Sequence, residues 1–121
     1  VSVVQSGDDV WVNIEGTSIH PDSEFGVRLR INHLHGQQLT LTSSRRSGTS
    51  FTTGNRTFRV RVKLPKVNLL AGTFDASLTI TDANEIHEFD HLEKVLRFDV
   101  DQGALLDEGL INFSPVWEQT A

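Results

Sequence analysis

Strict alternation of apolar and polar residues in the segment 74–81 constrains the fold of this chain more than any other feature. Every second residue there is apolar, and the residues between them are acidic or hydroxyl-bearing. The apolar set is Phe74, Ala76, Leu78 and Ile80, and the polar set is Asp75, Ser77, Thr79 and Thr81. A period of two places these sets on opposite faces of a half-buried β-strand. Pro65 and Gly72, in the loop before it, are typical strand boundaries.

The same alternation recurs in shorter segments along the chain. They span residues 10–15, 25–31, 39–41, 58–64, 96–100 and 110–117, the last interrupted by Pro115. The turn at 33–36 predicts a hairpin, and the Ser-, Thr- and Gly-rich segment 43–55 predicts a solvated loop. No apolar residues recur at helical spacing over three turns. About seven short strands with regularly spaced turns predict an all-β fold, an antiparallel β-sandwich of the immunoglobulin-like type.

Length and composition bound the class of protein. A chain of 121 residues is the size of one domain, so 1–121 is predicted to be a single domain. The net charge of −5 argues against a nucleic-acid partner. There is no cysteine, and no apolar run approaches the length that spans a bilayer. The chain starts at Val1 without the features of a signal peptide, so we expect a piece of a longer protein.

The second half of the chain has Leu, Pro, Gly, Asp and aromatic residues in an order that resembles one bacterial family. The matching residues are Leu64, Pro65, Leu69, Leu70, Gly72, Phe74, Ile80, Asp82, Asp90, Phe98, Val100, Gly109 and Trp117. In this order and spacing they resemble the C-terminal domain of Wzt, the nucleotide-binding subunit of ABC transporters that export O-antigen polysaccharides. Many sandwiches use such residues singly, so the resemblance depends on their order and spacing.

The resemblance implies a carbohydrate-binding domain that follows an ATPase domain in a longer chain. Such a domain recognises the O-antigen polysaccharide, in some members at a modified non-reducing end, and couples it to export. It acts in the cytoplasm at the inner face of the inner membrane, beside the transmembrane subunit of the transporter. Members form homodimers, in some cases by exchange of the last strand. Here the segment 110–117 is the one that could be exchanged.

Candidate binding residues follow from the outward positions of the predicted strands. Trp11 alternates with the apolar residues of its strand, and an exposed indole ring can pack on a sugar ring. Planar polar groups suit the recognition of vicinal hydroxyls, and arginine also pairs with phosphate. The candidates are Trp11, Arg28, Arg30, Arg59, Arg61, Asp75 and Ser77. Asn32 and Thr79 are predicted to point outward by the same alternation. The alternative is an ordinary solvated sheet face with weak cross-strand ion pairs.

Catalysis and metal binding find little support in the sequence. There is no nucleophile, phosphate-loop or metalloprotease motif, so no catalytic residue, no cofactor and no enzyme activity are predicted. The pairs His33/His35 and His87/His91 are interpreted as turn or loop histidines, not as metal ligands. The alternative function is a structural or adhesive immunoglobulin-like domain. It would hold a protein partner through a strand edge or the loop 43–55.

Overall fold

The computed structural model describes residues 2–17 and 23–120, and in them the chain forms eight strands and no helix. None of the described segments is therefore a helix of the length and apolarity needed to cross a membrane. The strands are β1 Ser2–Gln5, β2 Val10–Thr17, β3 Glu24–His33, β4 Gln38–Ser43, β5 Phe51–Thr52, β6 Thr57–Leu64, β7 Gly72–Thr81 and β8 Glu88–Asp101. They build two sheets, which confirms the all-β fold class.

The larger sheet has the strand order β1-β8-β7-β3-β4, with the short β5 paired to the start of β3. Its central strand β7 is the segment of strict alternation, flanked on one side by β3 and on the other by β8. These pairs are antiparallel, but β1 pairs with the end of β8 in parallel. The sheet is therefore mixed, whereas the sequence predicted only antiparallel pairing.

The smaller sheet consists of β2 and β6, which pair antiparallel over their whole length from Val10↔Leu64 to Thr17↔Thr57. Its inner side chains pack on the inner face of the larger sheet. The buried core residues are Ile14, Phe25, Val27, Leu29, Ile31, Val60, Phe74, Ala76, Leu78 and Val100. Phe74 is fully buried, with its ring centroid 5.6 Å from that of Phe98. Aromatic pairs of this kind add to the stabilisation from burial alone.

The predicted hairpin is confirmed: β3 and β4 pair antiparallel, and the turn is closed by a 2.8 Å hydrogen bond from the Gly36 N–H to the His33 carbonyl oxygen. Gly36 has a φ of 94°, a left-handed conformation that glycine adopts without steric cost. The segment 43–55 is not entirely a loop, since it contains β5. Strand β8 begins at Glu88, well before the predicted 96, so His91 lies in a strand and not in a loop.

The prediction of a last strand over 110–117 is wrong for the single chain. The segment makes one isolated bridge, Leu69↔Ile111, and no continuous ladder. Ser114 has a left-handed φ of 49° and Pro115 has no backbone N–H to donate. Beyond the bridge the segment carries strongly exposed apolar side chains, including Phe113 and Trp117. Alternation alone could not reveal that, among the described residues, the segment pairs with its own chain only through this one bridge.

Candidate functional site

The structure divides the seven candidate residues between the outer faces of the two sheets. Those on the smaller sheet are Trp11, Arg59 and Arg61. Those on the larger sheet are Arg28, Arg30, Asp75 and Ser77. None of them belongs to the hydrophobic core, in keeping with their outward positions in the alternation. Because the core lies between the two outer faces, the two groups cannot line one site.

The outer face of the smaller sheet is a cationic surface around Trp11. The guanidinium carbon of Arg61 lies 4.3 Å from the centroid of the Trp11 ring, and the Lys63 Nζ lies 5.7 Å from it. Both distances are typical of cation–π contacts. Arg59 forms a 3.0 Å ion pair with Glu15 on the neighbouring strand. The Trp11 side chain is half-exposed, but Arg61 covers one face of the ring that a sugar would use.

The outer face of the larger sheet contains a polar depression of about 230 Å³. Ser77 and Thr79 of the central strand lie at its floor and are buried, because β3 and β8 supply longer side chains on both sides. We call this the large-sheet depression, and define it by its lining residues. They are Arg28, Arg30, Leu41, Ser77, Thr79, Glu88, His91 and Glu93. Three of the predicted residues therefore meet in one concave site.

Glu93 is the centre of the hydrogen-bond network in the large-sheet depression. Its carboxylate accepts hydrogen bonds from the Arg30 Nη2 at 2.8 Å, the Ser77 hydroxyl at 3.1 Å and the His91 Nε2 at 2.6 Å. The hydrogen bonds from His91 and Ser77, helped by the charge of Arg30, hold the pKa of Glu93 below its usual value. The other ring nitrogen of His91 lies 2.6 Å from the Thr79 hydroxyl. These contacts fix the walls of the site to its floor.

A β-bulge in β8 places Glu93 in the wall of the depression. Ala76 pairs with Leu96 and Leu78 pairs with Leu92, so the three residues between those partners oppose the single residue Ser77. The Ser77 hydroxyl accepts a 3.0 Å hydrogen bond from the Lys94 N–H while donating to Glu93. Lys94 has a left-handed φ of 48°, as bulges often require. The bulge and Ser77 therefore position the glutamate together.

Both arginines of the depression keep hydrogen-bonding capacity that the protein does not use. Arg28 lies 3.6 Å from Glu88, and its Nε, like the Nε of Arg30, is buried without a hydrogen-bond partner among the described residues. Each guanidinium has five N–H donors. The buried Nε atoms lie out of a ligand's reach, so the donors available to a polar ligand are the Nη N–H groups of these partly exposed side chains.

Asp75, the remaining candidate, does not line the depression. It lies one pleat beyond Ser77 on β7, opposite Asn32 of β3 and Arg97 of β8. Its side chain is 1% exposed, and its Oδ1 has no hydrogen-bond partner in the described part of the chain. It can support the site from below the surface, but it cannot reach a ligand on the surface without rearrangement.

Sequence reasoning missed Glu88, His91 and Glu93. The bulge interrupts the alternation of β8, so the period-two pattern starts only at 96. One weaker signal was present: His91 and Glu93 are two residues apart, the spacing that puts side chains on one face of a strand. No group of three or more His, Cys, Asp or Glu in residues 2–17 and 23–120 is arranged to hold a metal ion.

The fold and the depression define an all-β sandwich domain with a polar site on an open sheet face. The Wzt C-terminal domain family matches residues 1–113, so the chain belongs to this family and the resemblance seen in the sequence is confirmed. The chain is similar to the crystal structure of the C-terminal domain of Wzt, with a TM-score of 0.82 and 14% sequence identity. That similarity covers 98% of this chain and 74% of the other. No curated protein matches the chain.

Proposed function

We propose that this domain binds O-antigen polysaccharide non-covalently and couples it to export by an ABC transporter. Membership of the Wzt C-terminal domain family supports this role. In this proposal the domain follows an ATPase domain in a longer chain. It works in the cytoplasm, at the inner face of the bacterial inner membrane, beside the transmembrane subunit. Its contribution is recognition, without cleavage of a bond.

The large-sheet depression is the observation that carries the proposal. Sugars are bound by planar side chains that make paired, directed hydrogen bonds to neighbouring hydroxyls. Arg28 and Arg30 supply such groups in one concave site, above the buried Ser77 that holds Glu93 in place. Their guanidinium groups are partly exposed and have more Nη donors than their ion pairs use. The face around Trp11, Arg59 and Arg61 lacks this combination, because Arg61 covers the indole ring and the Arg59 side chain is 82% exposed. We therefore assign the glycan to the larger sheet.

We further propose that the domain forms a homodimer by exchange of its C-terminal segment. A cleft of about 330 Å³ lies between β2 and the inner face of β7 and β8, with mainly apolar side chains around it. Leu92 and Leu96 on that inner face are 44% and 45% exposed, because the two-stranded sheet does not extend over them. One edge of β2 has no partner strand among the described residues, and unpaired edges accept further strands.

The segment 110–117 of a second copy fits this cleft. The segment starts at the Leu69↔Ile111 bridge, and Leu69 lies at the cleft. Phe113 is 84% and Trp117 is 90% exposed in the single chain, so docking would bury apolar area on both partners. Two linked sites would also raise the avidity for a repeating polysaccharide.

The binding proposal is tested by titrating defined O-polysaccharides, with and without their terminal modifications, into the purified domain. We expect Arg30→Ala and Ser77→Ala to weaken binding at least about 10-fold, equivalent to about 1.4 kcal/mol. Trp11→Ala, Arg59→Ala and Arg61→Ala on the opposite face should change affinity less than about 2-fold, or about 0.4 kcal/mol. The reverse pattern would move the site to the smaller sheet. Absence of binding to every polysaccharide would contradict the function and favour a protein-interaction domain.

The dimer proposal is tested by light scattering on the eluting protein. We expect a dimer for the chain and a monomer for a variant shortened before residue 110. The double variant Phe113→Ser and Trp117→Ser should also be monomeric. Leu106→Ser is the matched control, because Leu106 is equally exposed but lies outside the segment. A monomer at all concentrations of the unchanged chain would rule the exchange out.

A further inference from the structure

We infer that the sugar unit held in the large-sheet depression is uncharged. This inference rests on the proposed function and adds the chemical class of the recognised unit. It depends on the balance of charges in the depression and on the hydrogen-bonding groups that remain after the charges are paired. An anionic sugar, such as a uronate or a phosphorylated residue, is the class that it excludes.

Each cation of the depression already has a carboxylate of its own. The Arg30 Nη2 lies 2.8 Å from Glu93, and the Arg28 Nη1 lies 3.6 Å from Glu88. The two arginines and two glutamates therefore cancel in formal charge, and His91 hydrogen-bonds to Glu93. Leu41 and two hydroxyl residues complete the lining. The site offers no net positive charge to an anion.

An anionic group at either guanidinium would lie beside the glutamate that is already paired with it. Glu93 is held by three hydrogen bonds and by the bulge, so it cannot leave without breaking that network. A carboxylate or phosphate placed between the arginines would meet Glu88 and Glu93 at short range, which is repulsive. The smaller sheet differs here: among the described residues no carboxylate lies within 4.0 Å of the Arg61 guanidinium nitrogens.

Hydroxyl groups match what the paired site still offers. Arg28 and Arg30 retain donors, and the glutamate oxygens retain lone pairs after their ion pairs are made. A hydroxyl donates and accepts at once, so two neighbouring hydroxyls can contact an arginine and its glutamate without separating them. A neutral hexose or deoxyhexose unit fits these requirements. Binding of this kind depends little on ionic strength, because no net charge is neutralised.

The test compares neutral O-polysaccharides with the same chains after their primary hydroxyls are oxidised to carboxylates. Affinities are measured at about 0.1 M and about 1 M salt, between which the screening length falls from about 10 Å to about 3 Å. We expect neutral chains to bind at least about 10-fold tighter, with affinities that change less than about 2-fold with salt. Tighter binding of the oxidised chains, or a strong loss at high salt, would overturn the inference alone. Binding of neither form would instead contradict the proposed function.

Glu88→Gln provides the matched variant. Glu88 is exposed, so its loss should leave the fold intact, and it removes the carboxylate that faces Arg28. We expect this variant to bind the oxidised chains several-fold more tightly than the unchanged domain does. Glu15→Gln removes the same charge from the opposite face and should have no such effect. Equal affinities of both variants for the oxidised chains would count against charge balance as the source of selectivity.

Discussion

The outer faces of the two sheets carry similar residues but differ in what surrounds them. Both have arginines at alternate positions of one strand. On the larger sheet, Arg28 and Arg30 of β3 pair across β7 with glutamates of β8, and on the smaller sheet Arg59 pairs with Glu15 of the adjacent strand. On the larger sheet the central strand has a neighbour on each side, so Ser77 and Thr79 are buried beneath flanking side chains. On the smaller sheet each strand has one neighbour, and the Arg59 side chain remains 82% exposed. Alternation sets the direction of a side chain, whereas the number of flanking strands sets its burial.

This difference has an energetic consequence. A hydrogen bond to a buried group contributes more when its loss leaves a partner unsatisfied away from water. An exposed ion pair is screened by solvent and costs side-chain entropy, so its net contribution is small. Equivalent substitutions should therefore have large effects on the larger sheet and small effects on the smaller sheet. The three predictions that follow run from the largest expected effect to the smallest.

The largest effect is expected for Ser77→Ala. This substitution removes the acceptor of the Lys94 N–H and one donor to Glu93, at a position that is almost fully buried. We expect the free energy of unfolding to fall by about 2 kcal/mol. Urea denaturation measures the loss. Asn13→Ala, on the outer face of β2, is the control and should stay within about 0.5 kcal/mol. Equal losses in the two variants would remove the distinction between the faces.

An intermediate effect is expected from pH. The pKa of Glu93 is lowered in the folded chain by the His91 and Ser77 hydrogen bonds, so its stabilisation is fully present above the unfolded-state pKa. That stabilisation is lost as the pH falls through the lower, folded-state pKa. The melting temperature is measured between about pH 6 and about pH 3, a range that brackets the usual glutamate pKa. It should fall more steeply with decreasing pH for the unchanged chain than for Glu93→Gln. Glu15→Gln should leave the slope unchanged, and a parallel slope for Glu93→Gln would be the contrary result.

The smallest effect is expected for the Glu15–Arg59 ion pair. Both side chains are mostly exposed, so a double-mutant cycle with Glu15→Ala and Arg59→Ala should give a coupling energy below about 0.5 kcal/mol. High salt should reduce it further. The corresponding cycle for Arg30 and Glu93 should give a larger coupling, because their contact is part of a network with Ser77 and His91. A coupling of Glu15–Arg59 equal to that of Arg30–Glu93 would contradict the contrast between the faces.

Much of the fold was predictable because its strands obey a period of two. β7, β6 and the β3–β4 hairpin follow from alternation and from turn residues such as Gly36. β1 was missed because a four-residue strand at a sheet edge gives too little pattern to recognise. The strand expected at 110–117 has the pattern, but in the described residues it pairs with its own chain only through the Leu69↔Ile111 bridge. The local sequence indicates which residues can form a strand. Whether that strand pairs depends on segments that are distant in the chain.

The candidate site was predictable only in part, for the same reason. The period-two alternation identified Arg28, Arg30 and Ser77 as outward residues. It could not show that they lie on a different sheet from Trp11 and Arg59. Glu93 escaped notice because three residues of the bulge oppose one residue of β7 and break the alternation. Which residues face each other across a sheet is set by register, and a single sequence carries little information about register.

The bulge separates the end of β8 that carries the core residues Phe98 and Val100 from the start of β8 that lines the large-sheet depression. On one side Phe98 and Val100 keep their pairing with Phe74 and Gly72, and on the other Leu92 keeps its pairing with Leu78. Residues inserted into or deleted from the bulge can be absorbed locally without shifting either set of pairs. The length and the residues of this bulge can therefore differ between related domains while the packed interior stays the same. Under the proposed function, a change of glycan selectivity at this bulge would cost little folding stability.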